Sequence, residues 1–340
     1  MDLEQAGGGA LVPVATSLAE IHEALDEQAR AYAARSITAS TRRAYETDWS
    51  LFVDWCARQH FQPLPATPET VYRYIADLAA GTTGGQPMKT STILRRVSSI
   101  SVIHKSAGYN SPTADRAVQT VLKGVKRRPG REHRPVAKTA ATTAIVRRIV
   151  AGIGTETPVD IRDRAIILIG FPSALRRSEL TALDIPDLVD SGGELLVYIA
   201  SSKTDQEGEG LWLGIPSGSR AETDPVRAWN AWRELAAAAG DPDGPAFRPV
   251  GRSGKVLPRR LSDQSVALIV KRRALAAGLS ADEFAAHSLR SGFATSAAEA
   301  GAEEREIMRQ GRWRSVQMAR RYVQRGKALD KNNPARKLGL

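Results

Sequence analysis

The chain has 340 residues, enough for two domains with separate cores, and its hydrophobic fraction of 42% is typical of a globular protein. It carries 48 Lys and Arg residues against 37 Asp and Glu residues, and the net charge of +11 favours a polyanionic partner such as nucleic acid. The single cysteine, Cys56, excludes an intrachain disulfide and a cysteine-based metal site, and it fits a reducing compartment.

We expect neither an export signal nor a membrane span. Asp2 and Glu4 precede a run of glycines, whereas a signal peptide begins with basic residues and continues with an apolar core. The longest apolar stretch, at 165–171, is far shorter than the roughly 20 residues that cross a bilayer. These features predict a cytoplasmic, nucleoid-associated protein with no membrane partner.

Residues 1–35 are predicted to form a disordered, glycine-rich tip followed by a helix. Leu18, Ile21, Leu25 and Ala29 recur at the spacing of one helical face. Because this segment carries several carboxylates, we expect it to contact protein or solvent and not DNA.

Residues 36–127 are predicted to be an all-helical domain. Ser40 and Thr41 can cap a first helix whose aromatic residues recur at spacings of three and four. We interpret these aromatic residues as core packing; they are Tyr45, Trp49, Phe52 and Trp55. Four helices of this size form a small bundle. The other three helices are predicted at 69–79, 90–105 and 113–126.

A basic linker at 128–138 is the clearest domain boundary, because Pro129, Gly130 and Pro135 interrupt helix continuity. Seven Lys or Arg residues and one acidic residue lie between Lys123 and Lys138. A solvated charge run is one interpretation of this pattern. We favour a linker that lets two DNA-facing domains close round a duplex while it neutralises phosphates.

Residues 139–340 are predicted to be a second domain, with a small sheet among helices. Gly192-Gly193 joins the first two predicted strands, and a turn at 207–210 leads into the third. Lys203 lies near this second turn, where a hairpin could project it into a groove of DNA. The helices are predicted at 139–151, 160–171, 176–183, 224–239 and 261–277.

The stretch at 286–323 concentrates side chains that can act on a phosphate. His287 and Arg290 are three residues apart, so on a helix they share a face and can address one anionic oxygen. Trp313 and Tyr322 follow nine residues apart, across a break between two helical patterns. A lone tyrosine in a helix is usually a half-buried core residue. The chemical interpretation therefore depends on a second cluster upstream.

That upstream cluster contains Arg176, Glu179 and Lys203. With it, the order Arg, Lys, His-x-x-Arg, Trp and Tyr resembles the catalytic set of the tyrosine recombinase (phage integrase) family, from about Thr38 to the C-terminus. A Thr-x-x-x-Tyr-x-x-Asp pattern that starts at Thr41 resembles the opening of the family's core-binding domain. The resemblance implies a mainly α fold with a small antiparallel β-sheet. It implies an N-terminal helical core-binding (SAM-like) bundle and a C-terminal mixed α/β catalytic domain.

The chemistry of phosphodiester attack suggests a role for each residue of the set. Tyr322 is the expected nucleophile, and His287 is the expected proton acceptor or relay. Arg176 and Arg290 can offer paired N–H donors to the phosphate oxygens. We assign three supporting roles: Lys203 as the general acid for the leaving 5′-oxygen, Trp313 as an indole donor that covers the phosphate, and Glu179 as an orienting partner. The resemblance implies a 3′-phosphotyrosyl link and a Holliday junction, with neither a metal nor a cofactor.

Two departures from the family pattern are visible. Most members have Gly-His where this chain has Arg312-Trp313, which is a Cre-like arrangement that favours hydrogen bonding and packing over proton transfer. Ala174 replaces a frequent glycine before Arg176, a change that we expect to be tolerated. The tail at 323–340 resembles the family segment that docks into a neighbouring subunit, and a frayed tail is the alternative.

Short polar and cationic side chains on helices are the candidates for DNA contact, since they can enter a major groove. A solvated charged face is the alternative at each position. On the third helix, Arg95, Arg96 and Ser99 are predicted to lie away from the inward-facing residues. The candidates are Arg42, Arg43, Lys89, Ser91, Arg95, Arg96, Lys123, Lys126, Arg127, Arg128, Gln264, Lys271 and Arg272.

The sequence therefore predicts a site-specific DNA recombinase for integration, excision or resolution. Its expected partners are double-stranded DNA with an inverted-repeat site, three further copies of the chain in a homotetramer, and accessory DNA-bending factors. A type IB topoisomerase-like nicking and closing enzyme is one alternative. A non-catalytic DNA-binding protein on the same scaffold is the other.

Overall fold

The computed structural model describes residues 22, 23, 25, 27, 28, 39–127, 138–200, 210–285, 287–317, 319, 320 and 322. The chain divides into two compact units, residues 1–135 and 136–340. The predicted N-terminal tip, most of the basic linker, Lys203 and the tail after Tyr322 lie outside the described residues. Among the residues described, no helix is long and apolar enough to cross a membrane.

The first unit contains four helices close to the predicted bounds. Thr67 caps the second, since its hydroxyl accepts the Thr70 N–H at 3.2 Å, and Gly81 ends it with a left-handed φ of 72°. Asp115 caps the fourth by accepting the Ala117 N–H at 2.7 Å. The helices are α1 (Ala39–Arg58), α2 (Pro68–Ala80), α3 (Thr90–Ser106) and α4 (Arg116–Lys126).

Aromatic side chains form much of the core of this bundle. Phe52 and Trp55 are buried, and both pack against the buried ring of Tyr74 at centroid distances of 5.0 Å. Trp49 is half-buried and packs against Phe52, while Tyr45 is also half-buried. The interpretation of this stripe as core packing is confirmed for Trp49, Phe52 and Trp55.

The structure corrects the predicted face of α3. Ser99 is fully buried, and the Arg96 side chain is only 11% exposed. The Arg96 guanidinium donates to the Tyr74 hydroxyl at 3.0 Å and lies 3.8 Å from the carboxylate of Asp48. Arg96 lies three residues after Ile93 and four before Ile100, so helical spacing places it on the inward face, where the buried Asp48 carboxylate accompanies its charge.

The second unit contains the predicted antiparallel sheet, in the order β1-β2-β3. The strands β1 (Leu188–Ser191) and β2 (Glu194–Ile199) are joined through Gly192 and Gly193, and β3 (Leu211–Ile215) pairs with β2. One face of β2 and β3 is buried and the other is not, as the alternation of side chains requires.

Helices surround this sheet. They are α5 (Thr143–Ala151), α6 (Pro158–Gly170), α7 (Arg177–Ala182), α8 (Pro225–Ala237), α9 (Asp263–Ala276), α10 (His287–Glu299) and α11 (Glu304–Gly311). The core gathers the inner face of the sheet, the centre of α6 and the buried indoles of Trp229 and Trp232 on α8. The mainly α fold with a small antiparallel sheet is thus confirmed.

Candidate active site

The first turn of α10 presents His287 and Arg290, and its position is fixed by backbone contacts. The Ser288 carbonyl accepts the Ala141 N–H at 2.9 Å, and the Ser288 hydroxyl accepts the Ala285 N–H at 3.0 Å. A Cβ at Gly292 would lie 2.0 Å from the Ala141 carbonyl oxygen, so only glycine allows this close approach.

Tyr322 meets α10 at the imidazole of His287. The Tyr322 hydroxyl lies 2.7 Å from His287 Nε2, and the Tyr322 ring lies 5.8 Å from that of Trp313 between centroids. Tyr322 is half-buried and packs against a small apolar cluster that includes Trp313 and Ile307. The hydroxyl of Tyr322 is therefore directed at the imidazole and not into the apolar core.

Arg290 is buried, with an exposed fraction of 1%. One terminal nitrogen, Nη1, donates to the Ala174 carbonyl, and the guanidinium carbon lies 4.3 Å from the centre of the Trp313 ring. The other nitrogen, Nη2, is buried and has no partner within the described part of the chain. Burial, with the nearby charges of Arg176 and Arg312, lowers the pKa of Arg290 to about 10, so the side chain is still cationic at pH 7.

Glu179 connects two further arginines. Its carboxylate accepts the Arg176 backbone N–H at 2.9 Å and a guanidinium N–H of the same residue, which closes the N-terminus of α7. Arg312 Nη2 donates to the same carboxylate at 2.9 Å. Burial alone would raise the pKa of Glu179, but the charge of Arg312 and the bonds from Arg176 outweigh it and lower the pKa. Glu179 is therefore a carboxylate at neutral pH.

Ala174 adopts the left-handed conformation, with a φ of 48°, directly before the turn that carries Arg176. This conformation favours glycine and explains why a glycine is frequent at the position. The residue is fully buried, and its carbonyl accepts from both Arg290 and Arg312. The alanine is thus accommodated, and its peptide carbonyl holds two of the three arginines.

Arg260 holds the other end of α7. Its Nη1 donates to the carbonyls of Thr181, Ala182 and Leu183, at 2.9, 2.7 and 3.0 Å. These carbonyls end the helix and carry the negative pole of its dipole, so a cation there stabilises the short element that carries Glu179.

A surface pocket of about 300 Å³ opens beside the cluster. Arg176 and His287 line it, together with Ala267 of α9. Partial removal from water and the positive charges of Arg290 and Arg176 lower the pKa of His287 below its ordinary value of 6.5. The imidazole is therefore neutral at pH 7, and Nε2 can accept the Tyr322 hydroxyl proton.

The predicted residues that the structure brings together are Arg176, Glu179, His287, Arg290, Trp313 and Tyr322. Lys203 lies outside the described residues. Arg312 is a member of the cluster that sequence reasoning did not assign to it, although the departure at this position was visible. Within the described ranges, no group of three or more His, Cys, Asp and Glu residues could hold a metal ion.

The candidates for DNA contact differ in exposure. Arg95 is 45% exposed but pairs with Asp48 at 2.6 Å, and Arg272 is 56% exposed but pairs with Asp163 at 2.6 Å. Lys271 is half-buried, and Arg128 lies outside the described residues. The exposed candidates are Arg42, Arg43, Lys89, Ser91, Lys123, Lys126, Arg127 and Gln264.

This fold and this cluster define the catalytic domain of a tyrosine recombinase. Residues 141–328 match the phage integrase family, and the chain belongs to that family. The chain is 37% identical over 317 residues to an integrase/recombinase XerD homolog of Selenomonas ruminantium, across 92% of this chain and 89% of the relative. It is 29% identical to the tyrosine recombinase XerD of Bifidobacterium longum, across 80% of this chain and 82% of the relative.

Solved structures share the fold at low sequence identity. The integrase of transposon Tn1549, in complex with transposon right end DNA, matches with a TM-score of 0.55 and 16% identity, across 91% of this chain and 96% of that chain. The XerH recombinase, in a post-cleavage complex with palindromic difH substrate, matches with a TM-score of 0.54 and 17% identity, across 81% of this chain and 72% of that chain.

Proposed function

We propose that this chain cleaves and rejoins DNA at specific sites through a 3′-phosphotyrosyl intermediate, with Tyr322 as the nucleophile. The observation that carries the proposal is the 2.7 Å approach of the Tyr322 hydroxyl to His287 Nε2, beside a buried arginine with an unpaired donor. A free phenol has a pKa near 10, so only about 0.1% is ionised at pH 7. A neutral imidazole next to a cationic pocket supplies what such a nucleophile needs.

The arginines neutralise charge that develops on the phosphate. A phosphodiester carries one negative charge, and attack by an oxygen adds charge to its non-bridging oxygens. Arg290 Nη2 is an unused donor, and Arg176 lines the adjoining pocket. Positioned donors of this kind each contribute about 3 to 4 kcal/mol to transition-state stabilisation.

Protons balance in this scheme through two different side chains. As the Tyr322 oxygen bonds to phosphorus, its proton passes to His287 Nε2, and the bond from phosphorus to the 5′-oxygen breaks. We assign the proton for the leaving 5′-oxygen to Lys203. Trp313 stacks on Arg290 and covers the site, a role of packing and hydrogen bonding that does not need a titratable ring.

Partners and assembly follow from the same proposal. One solved neighbour is a lambda integrase tetramer bound to a Holliday junction, and another is a lambda integrase dimer bound to a core site. We propose that this chain also acts on double-stranded DNA with inverted repeats, as a homotetramer on paired sites, with accessory DNA-bending factors. The proposed DNA contacts are the exposed candidates Arg42, Arg43, Lys89, Ser91, Lys123, Lys126, Arg127 and Gln264.

A suicide substrate tests the proposal. The substrate is the cognate site, located by footprinting DNA that flanks the native gene, with a nick that lets the 5′-hydroxyl fragment diffuse away. We expect a covalent protein–DNA adduct with the wild type and none with Tyr322→Phe, which keeps the ring but removes the nucleophile. Absence of an adduct with the wild type would contradict the enzyme function and favour a non-catalytic DNA-binding protein.

Paired sites on one plasmid separate the recombinase from the topoisomerase alternative. We expect joint molecules and rearranged plasmids, because the liberated 5′-hydroxyl attacks a partner strand. Relaxation of supercoils without joint molecules would favour the nicking and closing enzyme.

A further inference from the structure

Arg312 occupies a backbone position that favours glycine. It follows the last residue of α11 and has the left-handed angles φ 54° and ψ 44°. The Arg312 N–H donates to the Arg309 carbonyl, and the Trp313 N–H donates to the Met308 carbonyl at 3.1 Å, which closes the helix in the usual glycine-ended way. A residue with a long side chain at this position is disfavoured, and such an outlier often marks a functional contact.

The neighbouring residue, Gly311, is required for a different reason. A Cβ at Gly311 would lie 1.8 Å from the Trp313 ring, so Gly311 is needed for close packing and not for its backbone angles. The left-handed position is therefore occupied by Arg312, a residue with a long side chain.

The guanidinium of Arg312 reaches back to the turn that carries Arg176. Its side chain is 7% exposed, and Nη2 donates to the Glu179 carboxylate at 2.9 Å. Nη1 donates to the Ser173 carbonyl at 3.3 Å. Nε is buried and has no partner within the described part of the chain. Arg312 therefore joins the segment before Tyr322 to the turn before α7.

This contact also changes the charge available to a substrate. Glu179 alone would cancel the positive charge of Arg176, because the two form an ion pair. Arg290 already supplies one uncompensated positive charge, and Arg312 on the same carboxylate adds a second, which favours an anionic phosphate.

We propose that Arg312 is a positioning residue: through Glu179 it orients Arg176, and it holds the Tyr322-bearing segment against the turn that carries Arg176. The inference rests on the proposed function of Tyr322 as the nucleophile.

The variant Arg312→Gly tests it, because glycine favours the left-handed angles while the guanidinium is lost. We expect a folded protein with a lower melting temperature, because the buried ion pair with Glu179 is lost. DNA affinity of the folded protein should be unchanged, and adduct formation should be slower by about 10- to 100-fold, the range of coupled neighbours. Millimolar methylguanidinium should restore part of the rate. Arg305→Ala is the matched control, since it removes a guanidinium with an 83% exposed side chain from α11 and should cleave at the wild-type rate.

A double-mutant cycle with Glu179→Gln completes the test. If Arg312 acts through Glu179, the double variant should be slowed much less than the product of the two single effects. Wild-type cleavage by Arg312→Gly, or effects that multiply independently, would overturn the inference. The wild type and Tyr322→Phe test the proposed function in the same assay. Failure of the proposed function would abolish the wild-type adduct, whereas failure of the inference about Arg312 would leave that adduct intact.

Discussion

Two regions of the catalytic unit place three arginines near a buried carboxylate, yet they differ in what they leave unpaired. Asp163 is fully buried and accepts from Arg162, Arg272 and Arg273, the last of which also pairs with Asp160 at 2.5 Å. No side-chain nitrogen or oxygen of these five residues is buried without a partner in the described structure.

The cluster around Glu179 is arranged differently. Arg176 and Arg312 share its carboxylate, and Arg290 lies beside them with a buried, unpaired nitrogen; Arg312 leaves a second one. Unpaired buried donors cost stability, and Arg96 Nε and Arg248 Nη1 are further examples away from this cluster. The two regions therefore differ in pairing: the arginines around Asp163 leave no buried donor unpaired and join helices, whereas those around Glu179 keep donors that a phosphate would complete under the proposed function.

The largest expected effect on stability comes from the satisfied cluster. Asp163→Asn leaves three guanidiniums around a neutral amide, and we expect a loss of about 3 kcal/mol in the free energy of unfolding. Asp263→Asn is the matched control, because its ion pair with Arg177 is exposed and should contribute at most about 1 kcal/mol. Chemical denaturation measures both. Equal losses of unfolding free energy in the two variants would contradict the expected difference between the buried and the exposed ion pair.

Arg290→Lys should affect cleavage strongly and stability little, the opposite of what we expect for Asp163→Asn. The lysine keeps the charge but not the paired donors, so we expect adduct formation to slow by about 100- to 1,000-fold, as loss of a positioned donor does. Thermal melting should change little, because the substitution also removes the unpaired buried nitrogen. Single-turnover cleavage beside a melting curve measures both quantities. If the variant is strongly destabilised but its folded fraction cleaves at the wild-type rate, the role of Arg290 is structural and not catalytic.

The pH dependence of cleavage sharpens the role of His287. In the proposed mechanism the active form is the neutral imidazole, and its pKa is lowered from 6.5 by partial removal from water and by the charges of Arg290 and Arg176. A lowered pKa extends the neutral form to lower pH, so the pH at which adduct formation is half-maximal should lie below 6.5. A half-maximal rate above pH 6.5 would contradict this assignment.

Arg260→Ala should have the smallest effect. The change removes three hydrogen bonds from the carbonyl end of α7 and its ion pair with Asp184. We expect a loss of about 1 kcal/mol in the free energy of unfolding, because the side chain is partly exposed and water can replace it. Cleavage should slow only a few-fold. An effect on cleavage as large as that of Arg290→Lys would place Arg260 in the site itself.

Local patterns predicted the elements well. The helix bounds of α2, α3 and α9 and the Gly192-Gly193 turn follow from caps, periodicity and glycine pairs, which act between close neighbours in the chain. The residues of the candidate active site were found because their types and order resemble a known catalytic set.

Side-chain pairing between distant residues could not be read from the chain. The inward turn of Arg96 depends on Asp48, and the burial of Arg312 depends on Glu179, which lies 133 positions earlier. The surface prediction for Arg96 followed from its charge, although its spacing from Ile93 and Ile100 is that of the inward face, and no local pattern indicates the partner of Arg312. A left-handed backbone is likewise invisible in sequence when the residue is not glycine, as at Ala174 and Arg312.

Identification of the residue that carries the DNA is the most direct test of the central claim. The wild-type adduct on the suicide substrate would be digested with protease and nuclease, and the modified peptide sequenced by mass spectrometry. We expect a nucleotide 3′-phosphate on the phenolic oxygen of Tyr322. Attachment at any other residue, or an adduct that still forms in Tyr322→Phe, would contradict it.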